Sequence, residues 1–363
     1  MIHGMRPTVR QLIVGASRAD AITNMAIGSS RSIAELAESE IYAFHPVEAD
    51  LEGEIRHVSD MGNGAPRDVL VYHSSFGIPQ ITQLLRKRPE RLVLVYHNIT
   101  PADRYWDLSP DFAAALEWGR VELTMLRDKV AVAVADSEFN GDELRAIGYR
   151  DVRVIPAGVN PHRLNSTPID SRFNRELTDN FPDGFLLFVS QVIPHKRVEW
   201  ALEVVHLLRS VHRLNVGLVV AGPQRNPRYS EIVQRFRSLL PEANSLFLGE
   251  ATESQLATLY RRASVFIGTS DHEGLGIPPL EAMAAGCPVV IRGCGAVPET
   301  VGDGALMIGP ESGVLEFTEA VAEVLSNQEL RVELARLGLD RAFDIGNKGG
   351  GESFREVVEE VLG

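Results

Sequence analysis

The fold is decided by S270-D-H-E-G-L-G-I-P-P-L-E-A-M-A-A-G-C-P-V-V, residues 270 to 290. Its two adjacent prolines, Pro278–Pro279, predict the first turn of a helix, where a missing N–H costs nothing. The pattern predicts that this helix ends with Gly286 as its C′ residue. Glu281 then lies in the first turn, and Glu273 lies on the Gly-rich loop that precedes the helix.

The start of this helix is also a predicted phosphate site. Its first N–H groups have no partner within the helix and lie at the positive end of the helix dipole. We therefore expect a phosphate to bind the backbone of Gly274, Leu275, Gly276 and Ile277. The alternative is that Glu273 and Glu281 are ordinary acids near a helix start, favoured by the dipole by only about a few tenths of a kcal/mol.

Short strand-like runs alternate with helical patterns along the rest of the chain. The first series of predicted strands is V9-R-Q-L-I-V, E40-I-Y-A-F, D68-V-L-V-Y-H, R91-L-V-L-V-Y-H, A131-V-A-V-A and V152-R-V-I-P. The second is F185-L-L-F-V-S, N215-V-G-L-V-V-A-G, S245-L-F-L-G, S264-V-F-I-G-T and P288-V-V-I. This alternation predicts parallel α/β sheets of the doubly wound kind.

The length and an irregular segment predict two domains. A chain of 363 residues is long for a single core. The pattern breaks between residues 157 and 184 into a segment rich in Pro, Asn and Ser, which is typical of a linker. We place one Rossmann-like domain at 1–165 and a second at 166–351.

The composition excludes several functional classes. A net charge of −13 with no compensating basic domain argues against a nucleic-acid binder. No apolar run approaches the roughly 20 residues that span a bilayer, and M1-I-H-G-M-R-P-T lacks a signal-peptide pattern, so we expect a cytoplasmic protein. Cys287 and Cys294 are too few for a zinc site or a disulfide framework, and we expect both to be reduced.

A small basic cluster leaves two alternatives open. It consists of Arg86, Lys87, Arg88 and Arg91. One interpretation is a solvated helix end. The other is a patch that contacts anionic lipid headgroups, which would place the protein peripherally at the inner face of the membrane if its acceptor were membrane-borne.

Polar residues follow three predicted strands of the first domain. These clusters are Gly15 to Asp20, His73 to Phe76 and His97 to Thr100. Because ligands of doubly wound sheets bind outside the carboxyl ends of the strands, we expect the clusters to face one cleft. Asp20 is also a candidate N-cap for the helix from residue 21. No G-x-G-x-x-G is present, and H272-E-G is not H-E-x-x-H, so a dinucleotide fingerprint and a zinc-protease motif are excluded.

Several segments together resemble glycosyltransferase family 4, retaining nucleotide-sugar transferases of GT-B fold. Glu273 and Glu281 resemble its E-x7-E signature, and F188-V-S-Q-V-I-P-H-K-R resembles its donor-phosphate loop, whose lysine corresponds to Lys196. V95-Y-H-N-I-T-P resembles the segment that carries the family's cleft histidine, here His97. The resemblance spans nearly the whole chain and is strongest from about 185 to 305. Within the family, the chain is similar to a bacterial branch that includes mannosyltransferases of surface-polysaccharide assembly.

The resemblance implies a function and a set of roles. The function is retaining, metal-independent transfer of a sugar from a UDP- or GDP-sugar to a hydroxyl of a glycan, lipid-linked or small-molecule acceptor, with no cofactor. The first domain would bind the acceptor, the second the donor, and the helix at 352–363 would cross back onto the first domain. The implied residues are catalytic His97, Glu273 and Lys196; donor-binding Gln191, Lys196, Arg197, Gly274, Leu275, Gly276, Ile277 and Glu281; and acceptor or cleft residues Gly15, Asp20, His73 and Asn98.

One position departs from the family. Gln191 stands five residues before Lys196, where the family carries an arginine. A guanidinium stabilises a leaving diphosphate by two charged hydrogen bonds, whereas an amide donates a neutral one. Either Lys196, Arg197, Arg292 or another cation compensates, or the activity is reduced. The alternative function is therefore a catalytically weakened GT-B protein that binds nucleotide sugars, and a GT-B epimerase or phosphorylase is a third.

Overall fold

Every strand pairing in the described part of the chain is parallel, and the pairings form two sheets. The computed structural model describes residues 6–18, 20–156 and 161–363. The first sheet has the order β3-β2-β1-β4-β5-β6-β7. Its strands are β1 Thr8–Ile13, β2 Glu38–Ala43, β3 Arg56–His57, β4 Val69–Ser74, β5 Arg91–Tyr96, β6 Val130–Ala135 and β7 Val152–Val154.

The second sheet repeats this plan with six strands in the order β10-β9-β8-β11-β12-β13. Its strands are β8 Phe185–Val189, β9 Gly217–Ala221, β10 Ser245–Gly249, β11 Val265–Gly268, β12 Val289–Arg292 and β13 Leu306–Ile308. In both sheets the chain first adds strands on one side of its first strand and then returns to add the remaining strands on the other side. The reversal lies between β1 and β4 in the first sheet and between β8 and β11 in the second, which confirms the predicted doubly wound α/β architecture.

Helices connect the strands. In the first half of the chain they are α1 Ala21–Ile33, α2 Pro79–Lys87, α3 Pro110–Leu126, α4 Glu138–Ile147, α5 Pro161–Ser166 and α6 Ser171–Asn180. In the second half they are α7 Val198–Ser210, α8 Pro227–Ser238, α9 Glu253–Arg262, α10 Ile277–Ala284, α11 Val297–Val301, α12 Val314–Ser326, α13 Gln328–Lys348 and α14 Gly351–Leu362. None of the helices in the described ranges is long and apolar enough to span a membrane.

The described residues divide into two units. The first takes in the described residues of Met1–Trp106 and Pro110–Gly158 together with Lys348–Gly363. The second takes in Asp107–Ser109 and the described residues of Val159–Asn347. The division lies earlier than the predicted boundary at 165/166, because α5 packs on α9 and α10 of the second unit. The terminal helix α14 packs on α1, β4 and β6 of the first unit.

Burial on both faces explains why these strands form sheet interiors. Every residue of β1, β4 and β9 is buried, as expected for strands covered by helices on both sides. The sequence analysis missed β3 and β13. Both are edge strands, of two and three residues: β3 is an exposed Arg-His pair, and the apolar Leu-Met-Ile of β13 is too short to distinguish from a loop.

Two of the four residues in the basic cluster near the end of α2, Arg88 and Arg91, make internal side-chain contacts. The Lys129 ammonium donates to the carbonyl of Arg88 at 2.6 Å, and Arg88 itself donates to the carbonyl of Gly62 at 2.8 Å. Arg91 donates to the carbonyl of Val361 in α14. These contacts favour the helix-end interpretation of the cluster over a lipid-binding patch.

A buried carboxyl on α3 makes the stability of the first unit depend on pH. Glu122 is fully buried; the hydroxyl of Tyr72 donates to it at 2.7 Å and the hydroxyl of Thr82 donates to its other oxygen. Burial raises the pKa of Glu122 to about 7, from an ordinary 4.5. The folded state therefore holds this proton more tightly than the unfolded state does, and the stability that protonation contributes is lost as pH rises from about 4.5 through about 7.

We predict that Glu122→Gln raises the free energy of unfolding at about pH 8 by up to roughly 3 kcal/mol and has little effect near pH 5. The amide keeps the hydroxyl contacts and removes the cost of burying a charge. Urea unfolding at both pH values measures this. Glu117→Gln, an exposed change on the same helix, is the control. An unchanged pH dependence in Glu122→Gln would contradict the assignment.

Candidate active site

Two loops of the second unit begin at the strands where its sheet reverses. One follows β8 and carries Lys196; the other follows β11 and carries Glu273. The N–H of Asp271 donates to the carbonyl of His195 at 2.8 Å. The hydroxyl of Thr269 lies 3.0 Å from the carbonyl of Lys196. These bonds hold the loops together at the position where doubly wound sheets bind ligands.

Lys196 and Glu273 form an ion pair between these loops. The Lys196 ammonium donates to Glu273 Oε1 at 2.6 Å, and the Ser270 hydroxyl donates to the same oxygen at 2.7 Å. The two side chains are 16% and 15% exposed, so the pair is partly reachable from solvent. The structure thus brings together two of the three residues predicted to be catalytic.

The backbone of Glu273 is held by the loop that follows β12. The N–H of Ala296 donates to the Glu273 carbonyl at 3.0 Å. Gly295 has a φ of +53°, and a Cβ at this position would lie 2.2 Å from that carbonyl oxygen. Only glycine allows this approach, so Gly295 fixes where the Glu273 loop lies.

Helix α10 begins directly after the loop, one residue before the predicted position. Gly276 is its N-cap, with a φ of +91°, and Gly286 follows its end with a φ of +74°, as predicted. The N–H groups of Leu275, Gly276 and Ile277 donate no hydrogen bond to any residue that the structure describes. A helix start of this kind can bind an anion through its backbone.

Glu281 has both of its carboxylate oxygens engaged. Oε1 accepts from an Arg163 Nη at 2.5 Å, and Oε2 accepts from the hydroxyl of Tyr260 at 2.9 Å. The side chain is 15% exposed, and burial raises the pKa of its carboxyl. Arg163 also pairs with Glu253 at 3.1 Å. A ligand that binds Glu281 would have to share it with these partners, which the sequence analysis did not identify.

The arginines considered as replacements for the cation missing at Gln191 are paired as well. Arg197 lies 3.1 Å from Asp271, which Arg292 also contacts, and both guanidiniums lie over the ring of Trp200, 4.9 and 4.7 Å from its centre. Arg197 pairs in addition with Glu199 at 2.6 Å. The side chain of Gln191 donates and accepts no hydrogen bond among the described residues. Three cations, Lys196, Arg197 and Arg292, thus balance three carboxylates, Glu199, Asp271 and Glu273.

Two thiols lie close to these loops but are not candidates for nucleophiles. Cys294 donates to the carbonyl of Ser270 at 3.2 Å, and Cys287 lies in the core. Burial raises the pKa of each thiol to about 12, so neither is a thiolate near neutral pH. Both are free, as predicted.

The first-unit residues predicted for the cleft lie at the carboxyl edge of its sheet. His97 Nδ1 lies 2.7 Å from an Asp136 oxygen, and His97 Nε2 lies 2.9 Å from His73 Nδ1. Asn98 has a φ of +72°, and its amide donates to Asn140 at 2.8 Å. Neither ring nitrogen of His97 is left for a ligand in this arrangement. The role predicted for its neutral imidazole therefore requires one of these bonds to open.

Asp20 and Gly15 lie at the same edge, after β1. The carboxylate of Asp20 accepts from the N–H and from the hydroxyl of Thr23, each at 2.9 Å, so Asp20 is the N-cap of α1 as predicted. Gly15 is half-buried, and a Cβ there would meet no atom within 4 Å. No group of three or more His, Cys, Asp or Glu side chains suited to a metal ion occurs in the ranges that the structure describes.

Comparison with known proteins finds similarity between the second unit and a family of transferases. Residues 172–339 match the family model described as Glycosyl transferases group 1. O-antigen chain mannosyltransferase B of Escherichia coli is 24% identical over 255 residues, which are 67% of this chain and 62% of that protein. The human alpha-1,3/1,6-mannosyltransferase ALG2 is 25% identical over 308 residues, 80% of this chain and 72% of that protein. The chain thus spans less than two thirds of the first of these relatives.

Solved structures extend the likeness to nearly the whole chain. Anabaena Alr3699/HepE, solved in complex with UDP-glucose, has a TM-score of 0.72 at 16% identity and covers 98% of this chain and 99% of its own. The fold is GT-B. WaaG, a glycosyltransferase involved in lipopolysaccharide biosynthesis, shares this GT-B fold with a TM-score of 0.72 at 16% identity, over 96% of this chain and 99% of its own.

We predict that Arg163→Gln lowers the free energy of unfolding by roughly 1.5 kcal/mol, because the buried carboxylate of Glu281 loses its charged partner and the contact between α5 and α10 weakens. Urea unfolding measures the change. Glu253→Gln removes the other, exposed partner of Arg163 and is the matched control, with an expected loss below about 0.5 kcal/mol. Equal losses in both variants would mean that Glu281 contributes no more than a surface ion pair.

Proposed function

We propose that this protein is a retaining glycosyltransferase that transfers a sugar from a UDP- or GDP-sugar to a hydroxyl of a glycan, lipid-linked or small-molecule acceptor. The observation that carries the proposal is the position of Lys196 and Glu273 beside the open N–H groups of α10, at the strand reversal of the second sheet. The mannosyltransferases among its relatives and the UDP-glucose bound by HepE support it. Retention of configuration and independence of a metal rest on the resemblance to family 4.

The proposed chemistry depends on stabilising a leaving group. When the glycosidic bond of a sugar nucleotide breaks, negative charge develops on the nucleoside diphosphate, and groups aimed at that charge lower the barrier. The Lys196 ammonium and the N–H groups of Leu275 to Ile277 would bind the phosphates. Glu281 would accept from ribose hydroxyls, and Glu273 would accept from hydroxyls of the transferred sugar.

The ion pair between Lys196 and Glu273 adds a step to this scheme. Lys196 is bonded to Glu273 at 2.6 Å, so a diphosphate must compete with that carboxylate for the ammonium. Release of Glu273 by Lys196 would then free a carboxylate oxygen for the sugar. Donor binding would thus exchange one partner of Lys196 for another, and the hydroxyls of Ser270 and of the sugar would bond the released carboxylate.

A second function, binding of nucleotide sugars without transfer, is favoured by Gln191 and by the pairing of Arg197 and Arg292 with Asp271. These contacts leave no excess positive charge for a diphosphate. Titration with UDP, GDP and their sugar conjugates, followed by donor hydrolysis and transfer to a panel of glycan acceptors, separates the two functions. Binding without hydrolysis or transfer would establish the second one.

We predict opposite effects of two substitutions on nucleoside diphosphate affinity. Lys196→Ala should weaken binding by about tenfold or more, since a charge-assisted contact is worth roughly 1.5–3 kcal/mol. Glu273→Gln removes the competitor for Lys196 and should leave affinity unchanged or tighter while lowering sugar transfer. Isothermal titration and a transfer assay measure both. Equal weakening by the two variants would show that the phosphates do not bind Lys196.

We predict that Gln191→Arg raises the rate of donor turnover, because the added guanidinium supplies a cation where Arg197 and Arg292 are already paired with Asp271. Gln191→Met is the matched control, with similar size and no charge, and should give no gain. Turnover of the donor without an acceptor is the measurement. A lower rate in Gln191→Arg than in Gln191→Met would mean that repulsion from the neighbouring arginines outweighs the new contact.

A further inference from the structure

A chain of hydrogen bonds runs along the carboxyl edge of the first sheet, across four neighbouring strands. Gln11 of β1 contacts His73 of β4, with 2.9 Å between Gln11 Oε1 and His73 Nε2. His73 contacts His97, which follows β5, with 2.9 Å between Nδ1 and Nε2. His97 contacts Asp136, which follows β6, with 2.7 Å between Nδ1 and Oδ2. The rings of His73 and His97 are parallel within 2°, which suits an in-plane N–H to lone-pair bond.

Both ends of this chain are hydrogen-bond acceptors. The Gln11 amide nitrogen donates to the carbonyl of Ala26 at 2.9 Å, and the hydroxyl of Ser29 lies 3.0 Å from Gln11 Oε1. The amide orientation is therefore fixed, and an oxygen faces His73. At the other end stands the carboxylate of Asp136.

Counting protons gives the protonation state of the chain. Three hydrogen bonds between two acceptors need three N–H protons on the two imidazoles, but two neutral imidazoles carry only two. If both rings were neutral and Asp136 were ionised, one of the three contacts would place two acceptors against each other. Water has little access to such a pair, because Gln11 is fully buried, His73 is 2% exposed and Asp136 is 6% exposed. One additional proton is therefore needed, and because a carboxylic acid is ordinarily a stronger acid than an imidazolium, one of the rings carries it and the carboxylate balances its charge.

The additional proton belongs to His97. Burial, with a further contribution from the neighbouring His97, holds the pKa of His73 well below its ordinary value, so His73 is the neutral ring. His73 then donates from Nε2 to Gln11 and accepts at Nδ1. His97 donates from Nε2 to His73 and from Nδ1 to Asp136, next to the charge that offsets its own.

We propose that His97 is held doubly protonated, as a donor to both Asp136 and His73, and that His73 and Gln11 are positioning residues for it. His97 then offers a fixed positive charge at the carboxyl edge of the first sheet and is not a base that takes the proton of an acceptor hydroxyl. The effect of these residues on turnover rests on the proposed transferase function; the protonation state of His97 does not.

Nitrogen NMR of the full chain labelled at its ten histidines tests this directly. At neutral pH both ring nitrogens of His97 should give the signals of protonated nitrogens, and His73 should show one protonated and one bare nitrogen. His97→Gln assigns the signals, and His57→Gln, a change at an exposed histidine, should leave them unchanged. A bare ring nitrogen on His97 in the unmodified protein would overturn the proposal.

Three variants separate positioning from folding. His73→Asn keeps an acceptor oxygen near the place of Nδ1 and should preserve two protonated nitrogens on His97, whereas His73→Leu and Asp136→Asn should each leave His97 with one. If sugar transfer is observed, His73→Leu should lower turnover by roughly tenfold or more, with His73→Asn restoring most of it and nucleoside diphosphate affinity unchanged. Equal losses of turnover in His73→Asn and His73→Leu would contradict the role of His73.

The outcomes distinguish this inference from the proposed function. Transfer activity together with a singly protonated His97 would refute the inference and leave the transferase proposal standing. A doubly protonated His97 in a protein without transfer or hydrolysis would support the inference and refute the transferase proposal.

Discussion

Burial of parallel strands on both faces is the constraint on which the rest of this structure depends. Strands such as β1, β4 and β9 are covered by helices on both sides, so their side chains are needed for packing. Polar groups can then reach solvent only where the strands end. The reversal of strand order separates neighbouring loops at that edge and leaves space for a ligand. Lys196 and Glu273 lie on two such loops, after β8 and β11.

Charges at this edge are paired with one another. Lys196 bonds Glu273, Arg163 bonds Glu281, and Arg197 shares Asp271 with Arg292. A partly buried charge without a partner is costly, so each pair contributes to the stability of the second unit. The consequence for function is that binding a diphosphate is an exchange of partners. Affinity then depends on the difference between two charged contacts and not on the full strength of either.

The first unit also buries ionisable side chains, among them Arg10, which lies 3.1 Å from Asp68 and 3.6 Å from Glu90. Its buried polar groups lie in connected networks: Glu122 is bonded by Tyr72 and Thr82 on α3's inner face, and His97 lies between His73 and Asp136. In the first network a single carboxyl is surrounded by hydroxyls, and burial raises its pKa to about 7. In the second, a carboxylate stands beside two imidazoles, and an additional proton neutralises it. Both arrangements keep net charge out of the interior.

Local sequence pattern determined the alternation of strands and helices, the two sheets, the N-cap at Asp20 and the helix end at Gly286. These features depend on neighbours within a few residues, through periodicity, capping and backbone conformation. The resemblance to family 4 assigned Lys196 and Glu273 to the same site from the sequence alone. Only the tertiary structure decided which partners the side chains of the site residues bond. Arg163 lies 118 positions from Glu281, and Gln11 lies 62 positions from His73. Such partners are chosen by how the strands and helices pack, because no period or cap in the sequence relates residues so far apart.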